Sequence, residues 1–162
     1  MSRSSKLNEV SNTLFTVVYI FINSTIGFMK TKAVRQEDPM GCGVACVAFL
    51  LGKTYRQTLK LFLNSETKAS TTGFVSKELV KVLGNDYRVG FAKRNKSKIY
   101  MDGSIVFMRR GKKYTHGHFV ARLNGRWMNP YINLPEYPIQ AGFQKRLPEQ
   151  PAFVIFQLKT ST

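Results

Sequence analysis

A cysteine stands between two glycines where a polar loop gives way to an apolar run, in residues 36–51, QEDPMGCGVACVAFLL. The run after Cys42 has no polar face, which predicts a helix that begins at the cysteine and is buried on all sides. A thiol in the first turn of a helix lies at the positive end of the helix dipole, which is expected to lower its pKa and favour the thiolate. The position therefore predicts nucleophilic chemistry at Cys42.

A cysteine nucleophile needs a base for its proton and a group that orients the base. His118 stands at the start of a predicted strand, and Asn129 follows the next strand. Asn124-Gly125 between them is a strong hairpin signal, so we expect the fold-back to bring Asn129 beside His118. An amide oxygen there accepts the imidazole N–H and fixes its tautomer, as a Cys-His-Asn site requires.

Three other polar side chains bear on this site. Gln36, six residues before Cys42, is expected to donate its amide N–H to an oxyanion, together with the Cys42 backbone N–H. Cys46 is expected to fill the core as a small apolar side chain. His116 is expected in a loop, as the alternative to His118.

The counts of His and Cys predict neither a disulfide framework nor a metal site. The chain has two cysteines, and the helix that carries both is expected to hold them too far apart for easy disulfide geometry. That favours a reducing compartment, and we expect a cytoplasmic protein. Two His and two Cys give no zinc-ligand spacing of the usual kinds, so no metal or cofactor is predicted.

The elements that must position these residues come as helices first and strands second. Two shorter helices are predicted after the cysteine helix, one capped by Thr54 and one that ends at Gly84. Loops are predicted over residues 64–73, 93–98 and 130–151. Strands are predicted over residues 87–92, 104–108, 118–123, 126–128 and 152–158. This order predicts an α+β fold with N-terminal helices packed on a C-terminal antiparallel sheet.

The first 28 residues are predicted to be an extension to a domain that spans residues 29–162. The extension contains most of an apolar segment, residues 14–29, LFTVVYIFINSTIGFM, which is short for a membrane span and is interrupted by polar residues. Four interpretations stay open: a membrane-surface anchor, a signal-like segment, a packed helix or strand, or a true translation start at Met29.

The net charge of +16, from 25 Lys and Arg against 9 Asp and Glu, predicts an acidic partner. Nucleic acid, an anionic membrane surface and an acidic peptide all fit that charge. Basic residues concentrate in two predicted loops, residues 93–98 and 109–113. The sequence has no recognised nucleic-acid-binding motif.

Two stretches resemble the cysteine peptidase domains of bacteriocin-exporting ABC transporters, which cut double-glycine leader peptides. QEDPMGCGVAC resembles the family's Gln, short spacer, Asp-Cys-Gly and apolar helix. GHFVARLNGRWMNPY is similar to its His-Phe-Val-Val followed by Asp-Pro. The helix TTGFVSKELVKVLG and the strand SIVFM also resemble family elements, so the resemblance covers residues 32–131.

The resemblance implies a papain-like fold in which Cys42 is the nucleophile and His118 the base. It further implies that Asn129 orients the base and that Gln36 stabilises the oxyanion. Gly41 departs from the usual Asp before the cysteine, and Asn129 itself replaces an Asp.

The resemblance also implies a partner and a substrate. The substrate would be a peptide, cut after Gly-Gly if it is a leader. The sequence contains no GxxxxGK nucleotide-binding loop, so a transporter or other membrane partner would be a separate protein. The alternative is a catalytically inactive papain-like module that binds an acidic peptide, nucleic acid or an anionic membrane surface through its basic face.

Overall fold

The computed structural model describes residues 32–158. The extension over residues 1–28 and the interpretations of the apolar segment over residues 14–29 lie outside the described residues. Among residues 32–158, no helix has the length and apolar character needed to cross a membrane.

Five short helices and one 3₁₀ turn, Ala92–Arg94, occur in the described residues. The helices are α1 (Cys42–Leu51), α2 (Tyr55–Leu59), α3 (Ser65–Ser70), α4 (Ser76–Leu83) and α5 (Lys96–Ile99). Gly52 ends α1 in the left-handed conformation at φ 65°, which a residue without Cβ adopts readily. Thr54 caps α2 in a capping box with Gln57, as predicted.

Six strands form one antiparallel sheet in the order β1-β6-β2-β3-β4-β5. They are β1 (Tyr87–Phe91), β2 (Ile105–Met108), β3 (His118–Leu123), β4 (Arg126–Asn129), β5 (Gly142–Gln144) and β6 (Pro151–Gln157). The predicted α+β class with an antiparallel sheet is confirmed.

The β3–β4 hairpin turns at the predicted Asn-Gly pair. Asn124 and Gly125 have φ angles of 51° and 70°, so both are left-handed, as a two-residue type I′ turn requires. Leu123 pairs with Arg126, and the register fixes every later pair of the two strands.

The core lies on both faces of the sheet. On one face α1 packs against β3 and α4, and each residue from Gly43 to Phe49 is buried. A Cβ on Gly43 would lie 3.1 Å from Leu79 and 3.3 Å from Phe119, so the small residue lets α1 approach closely. On the other face α5 buries Ile99 in a cluster that includes Trp127.

Three predicted loops contain regular structure. The loop over residues 64–73 includes α3, the loop over residues 93–98 includes the 3₁₀ turn and α5, and the loop over residues 130–151 includes β5. These elements are three to six residues long, too short to show a periodic pattern. Tertiary contacts stabilise them: an ion pair joins Lys68 to Glu78, and Phe143 packs edge-on against Phe49.

Candidate active site

Cys42 is the first residue of α1, at the end of the loop that carries Gln36. The loop closes on itself where the Gly41 N–H donates to the Asp38 carbonyl at 3.1 Å. The Gln36 N–H donates to the Pro130 carbonyl at 3.3 Å. That bond joins the cysteine loop directly to the end of the β3–β4 hairpin.

The hairpin places Asn129 beside His118. The His118 Nε2 and the Asn129 Oδ1 lie 2.8 Å apart, and both residues are buried. Gly117 precedes the histidine at φ 77°, and a Cβ there would lie 3.0 Å from the Met108 carbonyl. A glycine at this position therefore lets the chain enter β3 with the His118 ring beside Asn129.

The hydrogen bonds around Asn129 fix the histidine tautomer. The Tyr131 backbone N–H, which can only donate, lies 3.0 Å from the Asn129 Oδ1, so that atom is the acceptor. The His118 Nε2 must then carry the proton that it shares with Oδ1. The Nδ1 lone pair is left to accept a proton from a thiol.

Two residues that the sequence reasoning missed complete this network. The Asn129 Nδ2 donates to the Tyr114 hydroxyl at 3.0 Å and to the Gln144 Oε1 at 3.2 Å. The Tyr114 ring also stacks on the His118 imidazole, with centroids 4.3 Å apart and planes 2° apart. Tyr114 therefore fixes the base and its orienting amide together, a role for which a lone tyrosine in a loop gives no sequence signal.

Cys42 and His118 line one pocket of about 120 Å³. Gln36, Tyr131 and the exposed His116 line it too. The structure thus brings the predicted nucleophile, base and Gln36 to a single cavity. His116 is a loop residue, as expected, and His118 is the histidine bonded to Asn129.

A larger apolar groove of about 360 Å³ runs beside this pocket. Phe119, the residue after His118, contributes to its lining, as do Phe107 and Phe153 of the neighbouring strands. The three rings lie in one row across the sheet, with centroids 4.8 Å apart for Phe107 and Phe119 and 6.4 Å apart for Phe107 and Phe153. The row leads from the histidine towards the sheet edge.

The Gln36 amide is bound to its own loop. Its Nε2 donates to the Asp38 carbonyl at 3.2 Å and to the Pro39 carbonyl at 2.9 Å. Its Oε1 is buried without a hydrogen-bond partner among residues 32–158. An oxyanion would have to replace one of these carbonyls as the acceptor of a Gln36 N–H.

The thiol and the imidazole are both neutral at pH 7. Burial raises the pKa of the Cys42 thiol, although the backbone N–H groups of Phe119, Gly43 and Cys42 itself oppose that shift. Burial lowers the pKa of His118 to about 4, against the bond to Asn129, and the nearby Lys113 lowers it further. The expectation of a lowered thiol pKa was wrong, because the loss of water around the sulfur outweighs the helix dipole.

Cys46 is fully buried, as expected of a small apolar side chain in the core, and both cysteines are free thiols.

The departure at Gly41 has a steric cause. A Cβ on Gly41 would lie 1.9 Å from the Tyr55 hydroxyl oxygen and 2.8 Å from its Cζ. Tyr55 is buried, so it has little room to move away. An aspartate before the cysteine does not fit, because the tyrosine of α2 fills its space.

No protein-family model matches the sequence, and neither does any curated protein.

Proposed function

We propose that the chain is a papain-like cysteine peptidase in which Cys42 is the nucleophile, His118 the base and Asn129 the orienting residue. The observation that carries this proposal is the 2.8 Å hydrogen bond between His118 and Asn129, made by a histidine that shares a pocket with Cys42. We further propose a leader peptide cut after Gly-Gly as the substrate, with a separate ABC transporter or other membrane partner. Both rest on the resemblance of the two motifs.

The neutral resting pair favours general-base attack over a preformed ion pair. The Cys42 Sγ attacks the scissile carbonyl carbon while its proton passes to the His118 Nδ1. When the C–N bond breaks, His118 returns that proton to the leaving amine nitrogen, and the acyl group stays on Cys42 as a thioester. Water then attacks the thioester, gives a proton to His118 and releases the acid, after which the thiol recovers its proton.

The oxyanion of each tetrahedral intermediate needs donors that are already in place. The Cys42 backbone N–H stands at the N-terminus of α1, where it has no acceptor within the helix. Gln36 supplies a second donor when the oxyanion replaces the Pro39 or Asp38 carbonyl. The apolar groove lined by Phe107, Phe119 and Phe153 offers room for the substrate side chains beside the scissile bond.

Cleavage of a peptide pool rich in Gly-Gly sites, followed by mass spectrometry of the new termini, tests this function. The unchanged protein and the matched Cys46→Ser variant are expected to cut after Gly-Gly, whereas Cys42→Ala and His118→Ala are expected to cut nothing. Cleavage by Cys42→Ala would overturn the assignment of the nucleophile. Cleavage by the active variants at other sequences would overturn the Gly-Gly specificity alone.

The second candidate is a catalytically inactive papain-like module that binds an acidic peptide, nucleic acid or an anionic membrane surface. Two observations favour it: the Gln36 N–H groups already have acceptors, and burial keeps the thiol protonated. It predicts salt-sensitive polyanion binding that Cys42→Ser does not change, together with no cleavage by the unchanged protein. Failure to bind any polyanion at low salt would rule it out.

A further inference from the structure

Two basic segments leave the sheet at the edge where the candidate site lies. Strands β1 and β2 are both antiparallel to β6, so they run parallel to each other and end at the same edge. His118 begins β3 at that edge, paired with Met108 at the end of β2. The chain after β1 and the chain after β2 therefore both start beside the His118 end of the sheet.

Six exposed cations lie on these two segments: Lys93, Arg94, Lys96, Arg109, Arg110 and Lys112. We call them the basic edge. None of the six forms an ion pair within residues 32–158, where the ion pairs involve other Lys and Arg residues. Glu149 lies beside Gly111 and offsets one of these charges.

Distance along the sheet relates the basic edge to the scissile bond. Neighbouring strands lie about 4.8 Å apart, so β2 is about 5 Å and β1 about 14 Å from β3. An extended peptide advances about 3.3 Å per residue. A peptide that leaves the pocket across this edge meets the segment after β2 within about two residues and the segment after β1 within about four.

We propose that the basic edge binds acidic side chains of the peptide substrate within about four residues of the scissile bond. The inference rests on the proposed peptidase function. A peptide is favoured over nucleic acid or lipid because the edge is continuous with a pocket that holds a thiol and an oriented imidazole. A ligand lying on this edge reaches that thiol, whose chemistry acts on a peptide carbonyl.

Binding is tested first with a Cys42→Ser variant, which separates recognition from cleavage. The probes are fluorescein-labelled Glu-Gly repeats, matched Lys-Gly repeats, a single-stranded RNA and phosphatidylserine vesicles. The acidic peptide is expected to bind in a salt-sensitive way. Arg110→Glu with Lys112→Glu is expected to weaken it about tenfold, which is the sum expected of several exposed charge pairs.

Lys53→Glu with Lys81→Glu is the matched control. Both lysines are exposed, and they follow or end helices α1 and α4, away from the basic edge. This pair changes the net charge by the same amount and is expected to leave the affinity for the acidic peptide nearly unchanged. Equal weakening by both pairs would overturn the proposal, because net charge alone would then explain the binding.

The cleavage products separate this inference from the proposed function. Peptides cut by the unchanged protein are expected to be enriched in Asp and Glu within about four residues of the cut, and the Arg110→Glu, Lys112→Glu variant is expected to lose that enrichment. Cleavage without acidic enrichment overturns the inference and leaves the peptidase standing. Tighter binding of RNA or vesicles at the same residues, with no cleavage, overturns both.

Discussion

At the scale of single residues, the candidate site depends on hydrogen bonds that leave each polar atom one role. The Tyr131 N–H makes the Asn129 Oδ1 an acceptor, which makes the His118 Nε2 a donor and its Nδ1 the free base. Asparagine suits this arrangement better than the usual aspartate of the resembling family, because its amide N–H groups can donate to Tyr114 and Gln144. An aspartate would leave those two oxygens facing an anion without a proton between them, unless their own hydrogens turned towards it.

Tyr114 is expected to act as a positioning residue. Tyr114→Phe keeps the ring on His118 but removes the hydroxyl that accepts from Asn129, so we expect kcat to fall about tenfold with KM little changed. Tyr114→Leu removes the stacking as well and is expected to lower kcat further.

A loss of stability alone would not move the histidine tautomer, so the nitrogen NMR shifts of His118 provide the second readout. We expect Tyr114→Leu to mix the two neutral tautomers that Asn129 otherwise resolves. Tyr100→Phe is the control, because Tyr100 is exposed and distant from the His118–Asn129 bond. An unchanged kcat in Tyr114→Leu would contradict the role.

At the scale of elements, local signals predicted what local forces determine. The hairpin was predictable because Asn-Gly specifies a left-handed turn by itself, and α1 was predictable because its apolar run has no polar face. Strand β5 was not predictable, since its three residues form a strand only by pairing with β4. Gln144 lies on that strand, so its contact with Asn129 was missed with it.

The raised thiol pKa could not be predicted for a related reason. The sequence places Cys42 at a helix N-terminus, which favours the thiolate, but it does not show how closely other elements cover the sulfur. Phe119 of β3 and the cysteine loop provide that cover in the folded chain. Burial by elements distant in sequence therefore reversed a conclusion drawn from one helix.

The contact between α1 and α2 at Gly41 predicts a steric limit. Gly41→Ala is expected to reduce the free energy of unfolding by about 1–3 kcal/mol, the usual cost of overpacking, because its Cβ overlaps the Tyr55 hydroxyl. Urea denaturation of the single and double variants measures it. In a Tyr55→Phe background the same substitution is expected to cost less, since the nearest atom then lies 2.8 Å away instead of 1.9 Å.

Gly111→Ala is the control for the Gly41 series. Its Cβ would meet only the end of the flexible Glu149 side chain at 3.3 Å, so a near-neutral change is expected. A Gly41→Ala protein as stable as the Gly111→Ala protein would show that Tyr55 moves away without cost. In that case, sterics would not explain why the usual aspartate is absent before Cys42.

At the scale of the whole molecule, the buried imidazole links folding stability to pH. The pKa of His118 is about 4 in the folded chain and 6.5 for an ordinary histidine, so the unfolded chain binds more protons between those values. The free energy of unfolding should therefore fall as pH drops from about 6.5 to about 4, by about 3 kcal/mol from this group. Above pH 6.5 both forms are neutral, and the contribution is fully present.

Denaturant titrations across that pH range, compared between the unchanged protein and His118→Gln, measure the effect. Glutamine cannot titrate, so the variant is expected to lose about 3 kcal/mol less stability between pH 6.5 and pH 4. His116→Gln is the matched control, because that side chain is exposed and its removal should leave the pH dependence nearly as it is. Parallel curves for all three proteins would mean that the imidazole of His118 takes up a proton as readily when folded as when unfolded. The neutral resting pair, and the general-base route that follows from it, would then give way to a thiolate–imidazolium pair.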